Sequence, residues 1–157
     1  SKTFNLAGLQ VANMVITNAE ARRKIQKVCE AQCYHRLNTM AAEAAEAAYR
    51  YGEPWLNTLL LYLENNIKIL REALADTDLI KLVPPQGTYL LWLDCRKLGL
   101  DDKSLQKFFA DEAGLWLHSG CTFGAGGEGF VRMNIACPAQ TLRQAIDRLQ
   151  KALQNNF

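Results

Sequence analysis

The chain has 157 residues, 49% of them apolar and 22% charged, with a formal net charge of +2. That length holds one ordinary core, and so small a charge gives no argument for a nucleic-acid partner. No apolar run approaches the ~20 residues of a membrane span; the greasiest, "LNTLLLYL", contains Asn57 and runs into Glu64, Asn65 and Asn66.

Residues 10–17, "QVANMVIT", read as a strand leading out of a loop. Thr17-Asn18-Ala19-Glu20 has the form of a capping box, which predicts a helix to about Gln32 with Arg22, Arg23, Lys24 and Lys27 on its solvated face. Leu37 to Tyr51 is a second, alanine-rich helix stopped by Gly52. Glu53-Pro54 opens a third, with proline at its favoured first position and Leu56, Leu60, Leu63, Ile67, Leu70 and Leu74 as an apolar stripe. After Asp76 the texture changes. Strands are predicted over 80–83 and 88–94, a helix over 104–113 with Leu105, Phe108 and Phe109 inward, and strands over 115–118 and 130–135. Pro138 opens the last helix, whose buried line is Leu142, Ile146, Leu149 and Leu153. The tail thus runs strand, strand, helix, strand, strand, helix, an α+β unit of about 100 residues. The first 53 residues hold too little to build a sheet-based core, so they read as a piece of a larger domain. The expected division is 1–53 and 54–157, the latter being the long helix and the α+β unit.

Five cysteines, Cys29, Cys33, Cys95, Cys121 and Cys137, are scattered and odd in number, which predicts free thiols in a reducing cytoplasm. Cys29, Cys33 and His35 have ligand spacing on a helix, but no second ligand pair matches them, so no metal site is expected. "GAGGEG" satisfies G-x-G-x-x-G through Gly124, Gly126 and Gly129, yet it leads into the strand "FVRMNI". A dinucleotide fingerprint must open a helix, so the segment reads as a mobile loop between two strands. His118 and Ser119, with Asp111 or Asp147, could form a triad on paper; no nucleophile elbow is present, and neighbours on a strand point to opposite faces. Arg132 lies within a strand and needs a partner. It could face water on an edge strand, form an internal salt bridge, or offer a fork to a substrate carboxylate. Lys2 alone is uninformative.

Taken together and in order, "SKTFNLAGL", "VPPQGTYLLWLD" and "HSGCTFGAGGEGFVRMNIACP" resemble segments of the pyridoxal-phosphate enzymes of fold type I, the class I/II aminotransferase superfamily, and the resemblance covers essentially the whole chain. The finer likeness is to the carbon–sulfur β-lyase branch, the bacterial cystathionine β-lyases, through "SKTFNLAGL", "GEPWL" and "GFVRMNIACP". One departure from the typical aminotransferases agrees with this. Where many of them carry a phosphate-binding arginine eight residues past the lysine, this chain has Gln10.

The resemblance implies an α/β fold, α+β in its C-terminal part: a C-terminal remnant of the large domain plus the small domain. It implies that Lys2 holds the aldehyde of pyridoxal 5′-phosphate and then acts as base at the substrate Cα, with Ser1 on the phosphate. Arg132 would grip the α-carboxylate, while Tyr89 and the 119–124 turn, Ser119 included, line the substrate side. The implied reaction is β-elimination from a cystathionine- or cysteine-type amino acid to pyruvate, ammonia and a thiol. Alternatives are transamination and a non-catalytic α+β interaction domain. The resemblance further implies a cytoplasmic homodimer with a small amino-acid substrate and neither nucleic acid nor membrane as partner. The chain is expected to be the C-terminal part of a longer enzyme and inactive alone.

Overall fold

Asn18 and Asn38 start the first two helices of the computed structural model. The side chain of Asn18 accepts the Ala21 N–H (2.9 Å) to open α1, Ala19–Ala31, and that of Asn38 accepts the Ala41 N–H (2.7 Å) to open α2, Thr39–Tyr51. The cap of α1 is therefore Asn18, one residue beyond the predicted Thr17; Asn is at least as good a cap as Thr. Gly52 ends α2, because a Cβ there would meet the Ala48 carbonyl and the Phe4 ring. Phe4 meets Tyr49 edge-on (5.4 Å) and tilts against Trp55 (6.3 Å).

The structure describes residues 1–34 and 37–157, and these divide into two units, Ser1–Thr58 and Leu59–Phe157. In the first, Ala41 is the only buried hydrophobic among the described residues. The strand predicted over 10–17 is not formed: residues 11–18 are irregular, and Met14 and Val15 are 67% and 90% exposed. A strand needs a neighbour to take its N–H and C=O groups, and among the described residues no strand forms in this unit.

The third helix, α3, spans Glu53–Ala73. Pro54 lies in its first turn, where its missing N–H costs nothing. Leu63 and Leu70 of the predicted stripe are buried, as is Leu74 just past the helix, but Leu60 is 52% exposed. The buried face is rotated toward Asn66 and Ile69. Asn66 is fully buried because its Nδ2 donates to the carbonyls of Ile135 (3.0 Å) and Cys137 (3.1 Å). Hydrophobic periodicity does not count an asparagine, so the rotation was invisible to it.

The second unit carries one antiparallel sheet in the order β1-β2-β4-β3, with β1 Lys81–Leu82, β2 Leu90–Asp94, β3 His118–Ser119 and β4 Phe130–Asn134. The outer strands are shorter than predicted, and β3 begins at His118 rather than 115. Asp101 caps α4, Asp102–Lys107, by accepting the Ser104 N–H (2.7 Å); the helix then widens into a π-type turn, Phe108–Glu112. The last helix, α5, is Ala139–Asn156. Leu91, Leu93, Val131 and Met133 share one sheet face and one buried cluster with Leu70, Leu105, Phe109, Leu142, Ile146, Leu149 and Leu153. The inward residues predicted for the two tail helices are thus the ones buried. Alternate positions, Trp92, Asp94, Phe130 and Arg132, are only half-buried and occupy the other face.

Candidate functional site

Lys2 stands exposed in a turn closed by the Leu6 N–H donating to the Ser1 carbonyl (3.1 Å). Asn5 adopts a left-handed φ of 55°, which Asn tolerates. A 3₁₀ turn over Ala7–Leu9 follows, and Gln10 ends it with the same left-handed φ of 55°. Gln is less at ease there than Asn, so the end of this turn, eight residues past Lys2, is locally strained. Ser1, Thr3, Phe4 and Tyr49 border a cavity of about 50 Å³, room for a water molecule or two but not for a pyridine ring.

In the second unit, β4 is an interior strand, and Arg132 lies directly between Trp92 of β2 and His118 of β3. Residues opposite one another share a face. The edge-strand alternative for Arg132 is therefore incorrect: β4 pairs on both sides. The internal salt bridge fails as well, since among the described residues no carboxylate pairs with Arg132. Its guanidinium instead lies over the Phe123 ring, 4.6 Å from the centroid. Phe123 meets Trp92 edge-on (5.5 Å), Trp92 stacks on Phe130 (5.7 Å), and the Arg96 guanidinium covers Phe130 at 4.9 Å. Arg96 forks onto Asp94, Nε to Oδ1 at 2.9 Å and Nη2 to Oδ2 at 2.7 Å. That hydrogen bond holds the Asp94 carboxyl below the usual carboxylate range.

The loop after β3 carries Phe123 to this face. Gly120 and Gly127 approach so closely that a Cβ on either would strike the other's backbone, and Gly129, at φ +74°, lies against Arg96. The Gly129 N–H donates to Asp102 (2.9 Å). The glycine motif opens β4, not a helix, as its context in the sequence indicated. Ser119 pairs with Val131 in the ladder, and its hydroxyl lies 3.0 Å from the Cys121 thiol. Ser119 is half-buried while His118 is exposed. Tyr89 precedes β2, is buried, and packs in the cluster with Leu91, its carbonyl accepting the Ile135 N–H (3.0 Å). Just before it, Thr88 has a φ of 63°, strained for a β-branched residue, and the ladder starts two residues later at Leu90.

All five cysteines are free thiols. Cys29 lies in α1, but Cys33 lies beyond its end with a φ of 53°, so their helical spacing is not realised. His35, the third residue of that reading, lies outside the described residues. The aromatic stack beside Arg132 was missed from the sequence. A signal existed: Trp92 and Phe130 stand at alternate strand positions that point away from the aliphatic core.

Residues 1–149 match the family described as aminotransferase class I and II, and the chain belongs to it. It is 39% identical over 98% of its length to cystathionine β-lyase PatB of Bacillus subtilis, and 33% identical over 98% to protein MalY of Escherichia coli. It spans about 40% of the length of these relatives. The crystal structure of cystalysin from Treponema denticola, which contains pyridoxal 5′-phosphate, superposes with a TM-score of 0.90 at 32% identity, covering 98% of this chain and 39% of that one. The fold is that of the pyridoxal-phosphate enzymes of fold type I. The chemistry of the donors suits that cofactor, an exposed primary amine for its aldehyde and a neighbouring hydroxyl for its phosphate, while the cavity of about 50 Å³ beside them does not by itself hold its ring.

Proposed function

We propose that the protein to which this chain belongs is a pyridoxal-phosphate-dependent carbon–sulfur β-lyase, acting on a cystathionine- or cysteine-type amino acid and releasing pyruvate, ammonia and a thiol. The observation that carries the reading is Arg132: a guanidinium on an interior strand, set against an aromatic ring and paired with no carboxylate among the described residues. Such a group matches an α-carboxylate in two-point geometry. The likeness to the Bacillus subtilis lyase supports the choice of reaction.

The bound cofactor supplies an electron sink for the substrate's Cα. Lys2 would hold the cofactor through its amine and would serve as the base for the Cα proton. Ser1 would donate its hydroxyl to the cofactor phosphate. Arg132 fixes the substrate carboxylate and so orients its Cα bonds. Ser119 lines the substrate side; the side chain of Tyr89 is committed to the aliphatic cluster and does not. In this reading residues 1–53 belong to the large cofactor-holding domain and 54–157 to the small domain, and the enzyme is a cytoplasmic homodimer. No helix is long and apolar enough to cross a membrane among the described residues.

Two measurements on the intact protein test this. Borohydride reduction in the presence of pyridoxal phosphate, followed by peptide mapping, should place the pyridoxyl group on Lys2; an adduct elsewhere refutes its role. L-Cystathionine should yield pyruvate without an added keto acid. Turnover that requires an amino acceptor would instead support transamination, which uses the same lysine and arginine.

A further inference from the structure

We propose that Phe123 is a positioning residue for Arg132: its ring holds the guanidinium by the face and leaves the N–H edges free to fork onto a carboxylate. The inference deepens the assignment of Arg132 to the substrate carboxylate and rests on it. The guanidinium lies over the Phe123 ring at 4.6 Å, within cation–π range. Face-on stacking and in-plane hydrogen bonding use different parts of a guanidinium, so the ring orients it without occupying a donor.

Phe123 is itself braced. Trp92 meets it edge-on at 5.5 Å, Phe130 stacks on Trp92 at 5.7 Å, and Arg96 covers Phe130 at 4.9 Å while forked onto Asp94. A series of ring contacts therefore runs from Arg96, whose edge is forked onto Asp94, to Arg132, whose edges have no carboxylate partner among the described residues. Trp92 is directly opposite Arg132 in the ladder, so the ring that meets Phe123 and the arginine that Phe123 holds start from the same sheet. A long arginine side chain loses much rotamer freedom when it grips a ligand; a ring that pre-orients it lowers that cost before substrate arrives.

Phe123 is 53% exposed, so replacing it leaves the aliphatic core intact. In proton NMR of the 157-residue chain, the Arg132 δ and ε protons should be shifted upfield by the ring current. They should return to ordinary arginine values in Phe123→Leu and stay shifted in Phe123→Trp. In the intact protein loaded with pyridoxal phosphate, Phe123→Leu should raise KM for L-cystathionine about fivefold with kcat little changed, and Phe123→Trp should restore it. In an Arg132→Gln background, Phe123→Leu should have no further effect. Arg132 protons at ordinary values in the wild type overturn the platform, whatever the kinetics. A large KM effect of Arg132→Gln with none from Phe123→Leu overturns the platform alone. No effect of Arg132→Gln overturns the carboxylate assignment and the platform with it.

Discussion

Arg132 shows how much one residue's meaning depends on its neighbours. Its presence inside a strand demands a partner, and edge, salt bridge and ligand fork are all open until the strand order places β4 in the interior. Arg132→Lys in the intact protein keeps the charge and loses the planar fork; KM for L-cystathionine should rise about tenfold or more, measured by steady-state pyruvate release. Cys95 makes a second prediction. Burial pushes its thiol up to about 12. A thiol whose pKa is higher folded than unfolded supports the fold fully below the unfolded value of about 8.5. Above that, the unfolded chain binds fewer protons, and stability falls with pH by about 1.4 kcal/mol per unit until the folded value is reached. Urea midpoints of wild type and Cys95→Ala should therefore converge between about pH 9 and pH 11. A thiol reagent should modify exposed Cys33 and Cys121 first and Cys95 only on unfolding. That the cysteines are free thiols was legible as scatter and odd count. The depth of Cys95 was not, because nothing local marks its strand end as core.

The tail helices and central strands were legible because each buries one face against a partner and so repeats at its own period. That is why Leu142, Ile146, Leu149 and Leu153, and Leu105, Phe108 and Phe109, were found correctly. α3 was harder. Asn66 turns the buried face away from Leu60 because it satisfies two carbonyls beyond the end of β4, a contact 69 to 71 residues distant in sequence. Asn66→Ala should cost about 2–4 kcal/mol in urea unfolding, since it strands two buried carbonyls and leaves a void. Leu60→Ala, on the exposed side, should cost well under 1 kcal/mol; comparable losses would return the buried face to the predicted stripe. Residues 10–17 failed for the opposite reason. Their composition suits a strand, but an extended segment becomes one only where another strand offers it hydrogen bonds.

At the scale of the molecule the two units differ in kind. Every member of the buried cluster lies between Leu63 and Leu153, whereas α1 buries no residue at all. Hydrogen exchange on the 157-residue chain should show the slowest amides in β2, β4 and α5 and fast exchange throughout α1; protection in α1 equal to that of β4 would contradict this. The sequence by itself determined the α+β order of the tail and the lines of residues that fill its core. Its three ordered motifs also pointed to the family to which the chain belongs. These are properties of local period and local chemistry, carried by residues close together along the chain. Only the tertiary structure decided that Arg132 lies on an interior strand, that Asn66 is buried, that residues 11–18 join no strand among the described residues, and that Phe123, Trp92 and Phe130 form a braced platform. Each of those depends on which distant segment arrives beside which, and strand order and side-chain stacking are set by packing the whole unit at once rather than by any stretch within it.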